Sequence, residues 1–318
     1  MVDDAALLTE LEPTVASLVD RHLAKSTEWF PHRLVPWSRA KDLPDFALDA
    51  PADGEAWEAP IDAPPPAVAS ALFVNLLTED NLPYYSMEIH RAFGAGGAWG
   101  EWARRWTAEE GRHSIVIRDW LTVTNALDPV TLERARMAQV AGGIAPHPLS
   151  AMRGLVYVTL QELATRIAHH NTGKLLDDAT GYEVMKRVAA DENFHFLFYR
   201  DATTAAIELD PSNAVRAMEA EITGFAMPGV GITGFDAHAK AIAGAGIYDF
   251  AVHHDQILVP VVLRHWKLEE LTGLDDDAEH ARDRVLHYIA RLGKVASRVT
   301  RRRSERQSQQ QLVDASVS

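Results

Sequence analysis

The chain has 318 residues, of which 47% are hydrophobic, so it is long enough for one large or two modest globular domains and is not disordered as a whole. Its formal net charge of −14 argues against general nucleic-acid binding, which requires an excess of Lys and Arg. It contains no cysteine, which excludes disulfides, thiolate nucleophiles and cysteine-held zinc or iron–sulfur clusters, so any bound metal must be held by His, Asp and Glu.

The amino terminus, MVDDAALLTELEP, is acidic and does not resemble a signal peptide. No stretch approaches the roughly 18 consecutive apolar residues that indicate a membrane-spanning helix. We therefore expect a cytoplasmic protein that is not an integral membrane protein.

The predicted elements are almost all helices. A helical apolar pattern opens the chain over residues 6–25, whereas proline-rich sequence over 29–46 and Asp49–Pro66 predicts extended loops. The nearest strand signal, VVLRHW at 261–266, lies inside a longer helical pattern. These patterns predict a single all-α domain over residues 1–300 and a disordered basic and polar tail over 301–318. The later helical patterns cover 67–92, 98–127, 129–141, 148–173, 178–208, 211–225, 236–245, 249–272 and 277–306.

Two glycine-rich or charged segments have ordinary interpretations. FGAGGAWG at 93–100 has neither the preceding strand nor the lysine of a phosphate-binding loop, so it predicts a helix–helix connection. Residues 291–306 contain seven basic residues and one acid, Glu305, which is typical of a solvated helix end.

A Glu-x-x-His pattern occurs twice, in TAEEGRH (107–113) and in AADENFH (189–195). In a helix, positions i and i+3 face the same way, so Glu110 and His113 could bind one ion, as could Glu192 and His195. One such pair is weak support, because most are solvated surface residues. Here the same faces also carry apolar side chains, which indicates that both pairs are buried: Trp99, Trp102, Trp106 and Ile117 around the first pair, and Val188, Phe198 and Tyr199 around the second.

Buried carboxylates need a partner, and the neighbouring positions offer no suitably spaced Lys or Arg that would make structural salt bridges. Two further acids lie on apolar faces, Glu79 and Glu162, which precede Glu110 and Glu192 by 31 and 30 residues. Each half of the pattern is then a helix with one Glu followed by a helix with Glu-x-x-His. Four carboxylates and two imidazoles from four helices predict a site for a pair of iron or manganese ions.

The motifs around these residues resemble those of the soluble acyl-[acyl carrier protein] desaturases, in their actinobacterial branch. The likeness extends from about residue 10 to 300, and its LPxY and ELAT sequences are not general features of related helical bundles. The resemblance implies a ferritin-like four-helix bundle with additional helices and a carboxylate-bridged di-iron centre. The motifs are WFPHRLVPW (29–37), TEDNLPYY (78–85), RWTAEEGRHS (105–114), QELATRIAHHNTGK (161–174) and ADENFH (190–195).

The resemblance also implies residue roles. Glu110 and Glu192 would bridge the two irons, and Glu79 and Glu162 would each hold one iron together with His113 or His195. Thr165 would lie beside the oxygen-binding side. Asp191 and Trp29 would form a path for electrons through His113, although Trp29 could instead be a packing residue. By pseudo-symmetry, Glu109 would support His195. Two departures from the family pattern, Gly111 and Phe194, affect no ligand.

The implied reaction is the O2-dependent introduction of a cis double bond into a saturated fatty acyl chain bound to acyl carrier protein, with a pair of iron ions as cofactor and ferredoxin as electron donor. A homodimer is implied as well. Because the carrier is acidic, it would dock on basic residues, for which Arg21, Lys25 and the 291–306 segment are candidates.

Three other functions stay open on the same scaffold. One is an oxidase or iron-storage protein, another is a di-iron oxygenase or desaturase of a natural-product pathway, and the third is a catalytically silent paralogue that acts as a binding protein. The histidine pairs His169-His170 and His253-His254 are predicted to be surface or capping residues.

Overall fold

The computed structural model of this protein describes residues 3–40, 58–143, 149–229 and 231–317, with the side chains of 306–317 excepted. Most of these residues are helical, and none of them forms a strand. Short 3-10 turns lie at Trp37–Arg39 and Leu268–Glu270. The helices are α1 (Asp4–Lys25), α2 (Pro31–Leu34), α3 (Pro66–Glu79), α4 (Leu82–Phe93), α5 (Gly97–Thr124), α6 (Pro129–Gly142), α7 (Ala151–Lys174), α8 (Ala179–Leu209), α9 (Pro211–Thr223), α10 (Phe235–Ala245), α11 (Phe250–His253), which continues as a π-helix (His254–His265), and α12 (Asp276–Val317).

Four helices form the central bundle. Helix α3 packs on α5, α5 on α8, α8 on α7, and α7 on α3, which closes the ring. Helices α1 and α4 cover this bundle, α10 packs on α3, and α12 packs on α9. This is the four-helix arrangement that carboxylate-bound metal pairs use, and it confirms the predicted all-α, ferritin-like fold.

The starts of the long helices follow from their capping residues. Asp178 accepts a hydrogen bond from the backbone of Gly181 at 2.7 Å and so begins α8, and Ser150 accepts from Arg153 at the start of α7. The predicted segment 67–92 is wrong as one helix, because it breaks at Asp80 and Asn81. Pro83 lies in the first turn of α4, where a proline needs no backbone donor but would end a continuous helix.

The predicted ligand residues lie in a layer between two apolar cores. Along α5, Trp99, Trp102 and Trp106 belong to one of these cores, called the first core below. The apolar residues from Val116 to Val123 belong to the other, the second core. Along α8 the order is reversed: Val184 to Val188 lie in the second core, and Phe196 to Ile207 lie in the first. The polar residues of both helices fall between these apolar stretches, so the bundle buries a polar layer at its middle.

Other segments differ from the sequence prediction in smaller ways. The proline-rich region 29–46 contains the short helix α2, because Pro31 is preset for a first helical turn. The glycines between α4 and α5 form the predicted connection, and VVLRHW lies in the π-helix. Residues 41–57 lie outside the described residues, and they include the end of the predicted loop 29–46 and the first half of the predicted loop Asp49–Pro66.

Helix α12 continues through the segment for which composition predicted a disordered tail. Arg, Glu and Gln, which dominate residues 301–311, all have high helix propensity, and this accounts for the helical backbone there. Separately, none of the described helices is both long enough and apolar enough to span a bilayer.

Candidate metal centre

The structure brings together all six residues that the sequence proposed as ligands. Glu79 is the last residue of α3, Glu110 and His113 lie in α5, Glu162 in α7, and Glu192 and His195 in α8. All six side chains are buried. They form two groups in which the possible ligand atoms lie within 4.8 Å of one another, and Glu110 and Glu192 belong to both groups.

The two shared carboxylates each face both imidazoles. Glu110 places Oε2 at 3.2 Å from Nδ1 of His113 and Oε1 at 2.9 Å from Nδ1 of His195. Glu192 does the same with its two oxygens, at 3.5 and 4.0 Å. Two carboxylates that span both histidines have the geometry expected of bridging ligands.

The other two carboxylates each belong to one half of the site. Glu79 Oε2 lies 3.6 Å from Nδ1 of His113, and Glu162 Oε2 lies 3.6 Å from Nδ1 of His195. A hydrogen bond of 3.0 Å from the indole of Trp106 also fixes Glu162, which the sequence pattern did not reveal. The arrangement therefore has one terminal carboxylate and one imidazole on each side of the bridging pair.

The donor set fits a pair of divalent cations. Among the described residues, Nδ1 of His113, Nδ1 of His195 and Oε2 of Glu162 are buried without a hydrogen-bond partner. These atoms face the interior of the cluster. The four carboxylates form ion pairs with histidines, and none of them pairs with a Lys or Arg of the described residues. Four acids gathered in this way need positive charge from another source.

The pKa shifts show the same excess of negative charge. Burial and the neighbouring charge of Glu192 raise the pKa of the Glu162 carboxyl well above its ordinary value. Burial works to lower the pKa of His113 and His195, but the surrounding carboxylates outweigh it and raise both pKa values well above the ordinary range. Protons held by these groups thus neutralise part of the negative charge of the acids. Divalent cations would neutralise more of it.

On the His113 side, Asp191 supports the imidazole from behind. Its Oδ2 lies 3.5 Å from Nε2 of His113 and accepts a 2.7 Å hydrogen bond from the indole of Trp29. Arg112 and Arg187 also bind this carboxylate, at 3.0 and 2.6 Å, and both stack over the Trp29 ring. Burial raises the pKa of Asp191, but the contact with His113, the charge of His195 and the hydrogen bond from Trp29 outweigh it and lower this pKa to about 2. The structure thus joins the Asp191 and Trp29 that the family resemblance singled out.

On the His195 side, Glu109 lies behind the imidazole as Asp191 lies behind His113, but its outer partner is a different residue. Oε2 of Glu109 lies 3.0 Å from Nε2 of His195 and 2.9 Å from Nε2 of His22, which belongs to α1. Arg105 approaches the other oxygen at 2.6 Å. His22 is buried and occupies the place that Trp29 has on the opposite side. No sequence pattern pointed to it, because it lies 87 residues from Glu109.

Two histidine predictions were wrong. His169 is 2% exposed, and its Nε2 lies 3.0 Å from Oε1 of Glu79, so it supports a candidate ligand instead of facing solvent. It follows Glu162 by seven residues, two helical turns, which places it on the same buried face. His253 is also buried, stacked on Phe225 and bonded to the Tyr248 hydroxyl at 2.9 Å, and burial lowers its pKa to about 4.

A cavity of about 390 Å³ lies beside the cluster, within the range of about 300 to 1,000 Å³ that small-molecule sites occupy. Thr165 lines it, and its hydroxyl lies 3.1 Å from Oε2 of Glu192 and 3.0 Å from the backbone oxygen of Glu162. The cavity thus reaches candidate ligands on the Thr165 side. Its wall is mostly apolar and includes Val74, Leu82, Ile89, Ala92, Phe93, Gly154, Val158, Met227, Ile242 and Ile247.

The sequence as a whole matches one family. A family model described as fatty acid desaturase matches residues 3–317. The chain is 39% identical over 294 residues to "Putative acyl-[acyl-carrier-protein] desaturase DesA1" of Mycobacterium tuberculosis (strain ATCC 25618 / H37Rv), covering 90% of this chain and 85% of DesA1. It is 30% identical over 328 residues to acyl-[acyl-carrier-protein] desaturase 6, chloroplastic, of Oryza sativa subsp. japonica, covering 94% and 74%.

A solved structure agrees with this match. The X-ray structure of DesA2 from Mycobacterium tuberculosis H37Rv superposes with a TM-score of 0.67 at 26% identity, covering 83% of this chain and 96% of DesA2. The chain is therefore a member of the fatty acid desaturase family. Within that family it is similar to the acyl-[acyl carrier protein] desaturases of mycobacteria and plants, which confirms the resemblance inferred from its motifs.

Proposed function

We propose that this protein is an O2-dependent desaturase that introduces a cis double bond into a saturated fatty acyl chain bound to acyl carrier protein. The observation that carries the proposal is the buried cage in which Glu110 and Glu192 each face both imidazoles, next to a mostly apolar cavity. The names of the relatives support acyl carrier protein as the partner that delivers the chain.

The proposed cofactor is a pair of iron ions. Glu79 and His113 would hold one, Glu162 and His195 the other, and Glu110 and Glu192 would bind both. When bound, the irons supply the oxidising chemistry with O2 that an unactivated methylene requires. Two C–H bonds break and one C=C bond forms. O2 takes two hydrogens from the chain, as two electrons and two protons, together with two electrons from reduced ferredoxin and two further protons, and leaves as two waters.

The protein's own part is to position the chain and exclude water. The apolar cavity wall would hold one pair of methylenes next to the ligand cluster, because an extended chain in a narrow cavity has few alternative positions. Thr165 is placed between this cavity and Glu192, where its hydroxyl can hold a proton. On the opposite side, the contacts from Trp29 through Asp191 to His113 support the proposed path for electrons.

A turnover assay tests the function directly. Protein reconstituted with ferrous iron is supplied with ferredoxin, its reductase, O2 and acyl carrier proteins bearing C16 or C18 chains, and the products are weighed by mass spectrometry. We expect a loss of two hydrogens from the acyl chain. Gain of an oxygen atom would favour an oxygenase, and an unchanged mass across a panel of chain lengths would favour a binding protein.

The role of His22 gives a separate prediction. His22→Leu removes the outer partner of Glu109, so we expect roughly ten- to hundredfold weaker metal binding on the His195 side, the usual effect of losing such support. A titration with Co²⁺, followed by visible absorption, should show one tight and one weakened ion. His22→Gln keeps a donor within reach of Glu109 and should restore tight binding. Two ions of wild-type affinity in His22→Leu would refute this role.

A further inference from the structure

Helix α12 carries an exposed basic face. Arg291, Lys294, Arg298, Arg301 and Arg302 follow one another at i, i+3, i+7, i+10 and i+11, which places them within about 100° of the helix circumference. All five side chains are exposed. Their apolar neighbours Leu292 and Ala296 lie on the other side and are buried. The segment is therefore a charged stripe along a packed helix.

Most of these cations have no ionic partner among the side chains that the structure describes. Among the described side chains, Arg301 lies 3.9 Å from Glu305, but no ion pair or hydrogen bond involves Arg291, Lys294, Arg298 or Arg302. Two other surface cations, by contrast, are paired. Arg284, two turns earlier on the same face, is paired with Glu219, and Arg21, an alternative docking candidate, binds Asp201 at 2.6 Å.

The stripe is opposite in charge to the rest of the protein. The formal net charge of the chain is −14, and residues 291–306 contribute +6, so the remaining residues carry −20. A strongly acidic protein repels most polyanions, nucleic acids included, whereas a local basic surface can still attract an acidic protein of limited size.

The helix that carries the stripe lies next to the wall of the cavity. Arg303, on the opposite face of α12, is ion-paired with Asp249. Its guanidinium also lies 3.1 Å from the point that a Cβ on Gly246 would occupy. Ile247 and Tyr248, which lie between Gly246 and Asp249 in the chain, line the cavity. A partner bound to the stripe would therefore be separated from these cavity residues by the width of one helix, about 10 Å.

We propose that the exposed basic face of α12 is the docking surface for the acidic carrier protein that delivers the acyl chain. This inference rests on the proposed function. Surface charges of this kind raise the rate of association and make it sensitive to salt, because long-range attraction is screened by ions.

The test uses the full-length, iron-loaded protein with Arg291→Glu, Lys294→Glu and Arg298→Glu combined. At low salt we expect the KM for acyl carrier protein to rise roughly tenfold or more, with kcat and iron content unchanged, and the difference to shrink at high salt. The control combines Arg104→Glu, Arg118→Glu and Lys186→Glu, three exposed sites elsewhere with the same change in net charge. It should leave the KM near that of the wild type.

Several results would overturn this docking surface. One is an unchanged KM in the α12 variant while the wild-type protein desaturates its substrate, which leaves the proposed function intact. Another is a larger effect in the control. A third is a change in oligomeric state without a change in KM, which would assign the stripe to a second copy of the chain. If the triple variant does not fold, Arg298→Gln alone should still raise the KM and weaken its salt dependence.

Discussion

Glu192→Ala is expected to reduce desaturation to background and to lower bound iron from about two ions per chain to well below one. The reason is that Glu192 faces both imidazoles, so its loss removes a ligand from both ions at once. Iron content by mass spectrometry and turnover of the reconstituted protein measure the two effects.

The metal-free form of the same variant should be affected much less. The negative charge of Glu192 raises the pKa of the buried Glu162, which means that the two acids repel each other without metal. Relief of this repulsion offsets the lost packing. The free energy of unfolding of the metal-free protein, measured by thermal unfolding, should therefore change by no more than about 1–2 kcal/mol. Glu183→Ala, an exposed change on the same helix, is the matched control and should retain iron and activity. Near-normal iron in Glu192→Ala would contradict the bridging role.

Gly154→Leu is expected to reject long acyl chains while shorter ones are still desaturated. Gly154 lines the cavity, and a Cβ added there would lie 3.2 Å from Cζ of Phe93, so a leucine side chain must take space from the cavity. Gly154 precedes Glu162 by eight residues, about 12 Å along the helix, so the block falls well away from the ligands. We expect turnover of the longest accepted chain to fall roughly a hundredfold, equivalent to about 2.7 kcal/mol.

The controls for this change separate the cavity from the metal. Iron content should equal that of the wild type, because no ligand is touched. Gly244→Leu, in α10, places its side chain in open space and should not alter chain-length preference. An equal loss for every chain length in Gly154→Leu, with iron retained, would show that this end of the cavity does not hold the end of the acyl chain.

The sequence predicted the candidate ligands because their spacing is local. A helix places Glu110 beside His113 and Glu192 beside His195 regardless of the rest of the fold. The matched positions of Glu79 and Glu162, 31 and 30 residues earlier, then required only that the four helices meet. The apolar residues before and after each pair correctly indicated that this layer would be buried.

The outer partners could not be predicted in the same way. His22 reaches Glu109 only through the packing of α1 against α5 and α8, and His169 reaches Glu79 only because α7 and α3 adjoin. These contacts join residues 87 and 90 positions apart, for which helical spacing carries no information. The break at Asp80 and Asn81 was missed because the apolar pattern continues through it, although Pro83 was a usable signal.

The cavity depends on three-dimensional packing to a still greater extent. It is lined from α3, α4, α7, α10 and the segment around Met227, and no single one of these reveals it. If the cavity holds the acyl chain as proposed, the accepted chain length would depend on the depth of this space and not on the motifs. The predicted homodimer remains a prediction from the family resemblance.

The central claim, that the six buried residues form a site for two irons, is tested most directly by anaerobic titration of the metal-free protein with ferrous iron. We predict uptake of about two ions per chain, the number that four carboxylates and two histidines of this kind hold. Failure to take up iron, or binding of zinc alone, would contradict it.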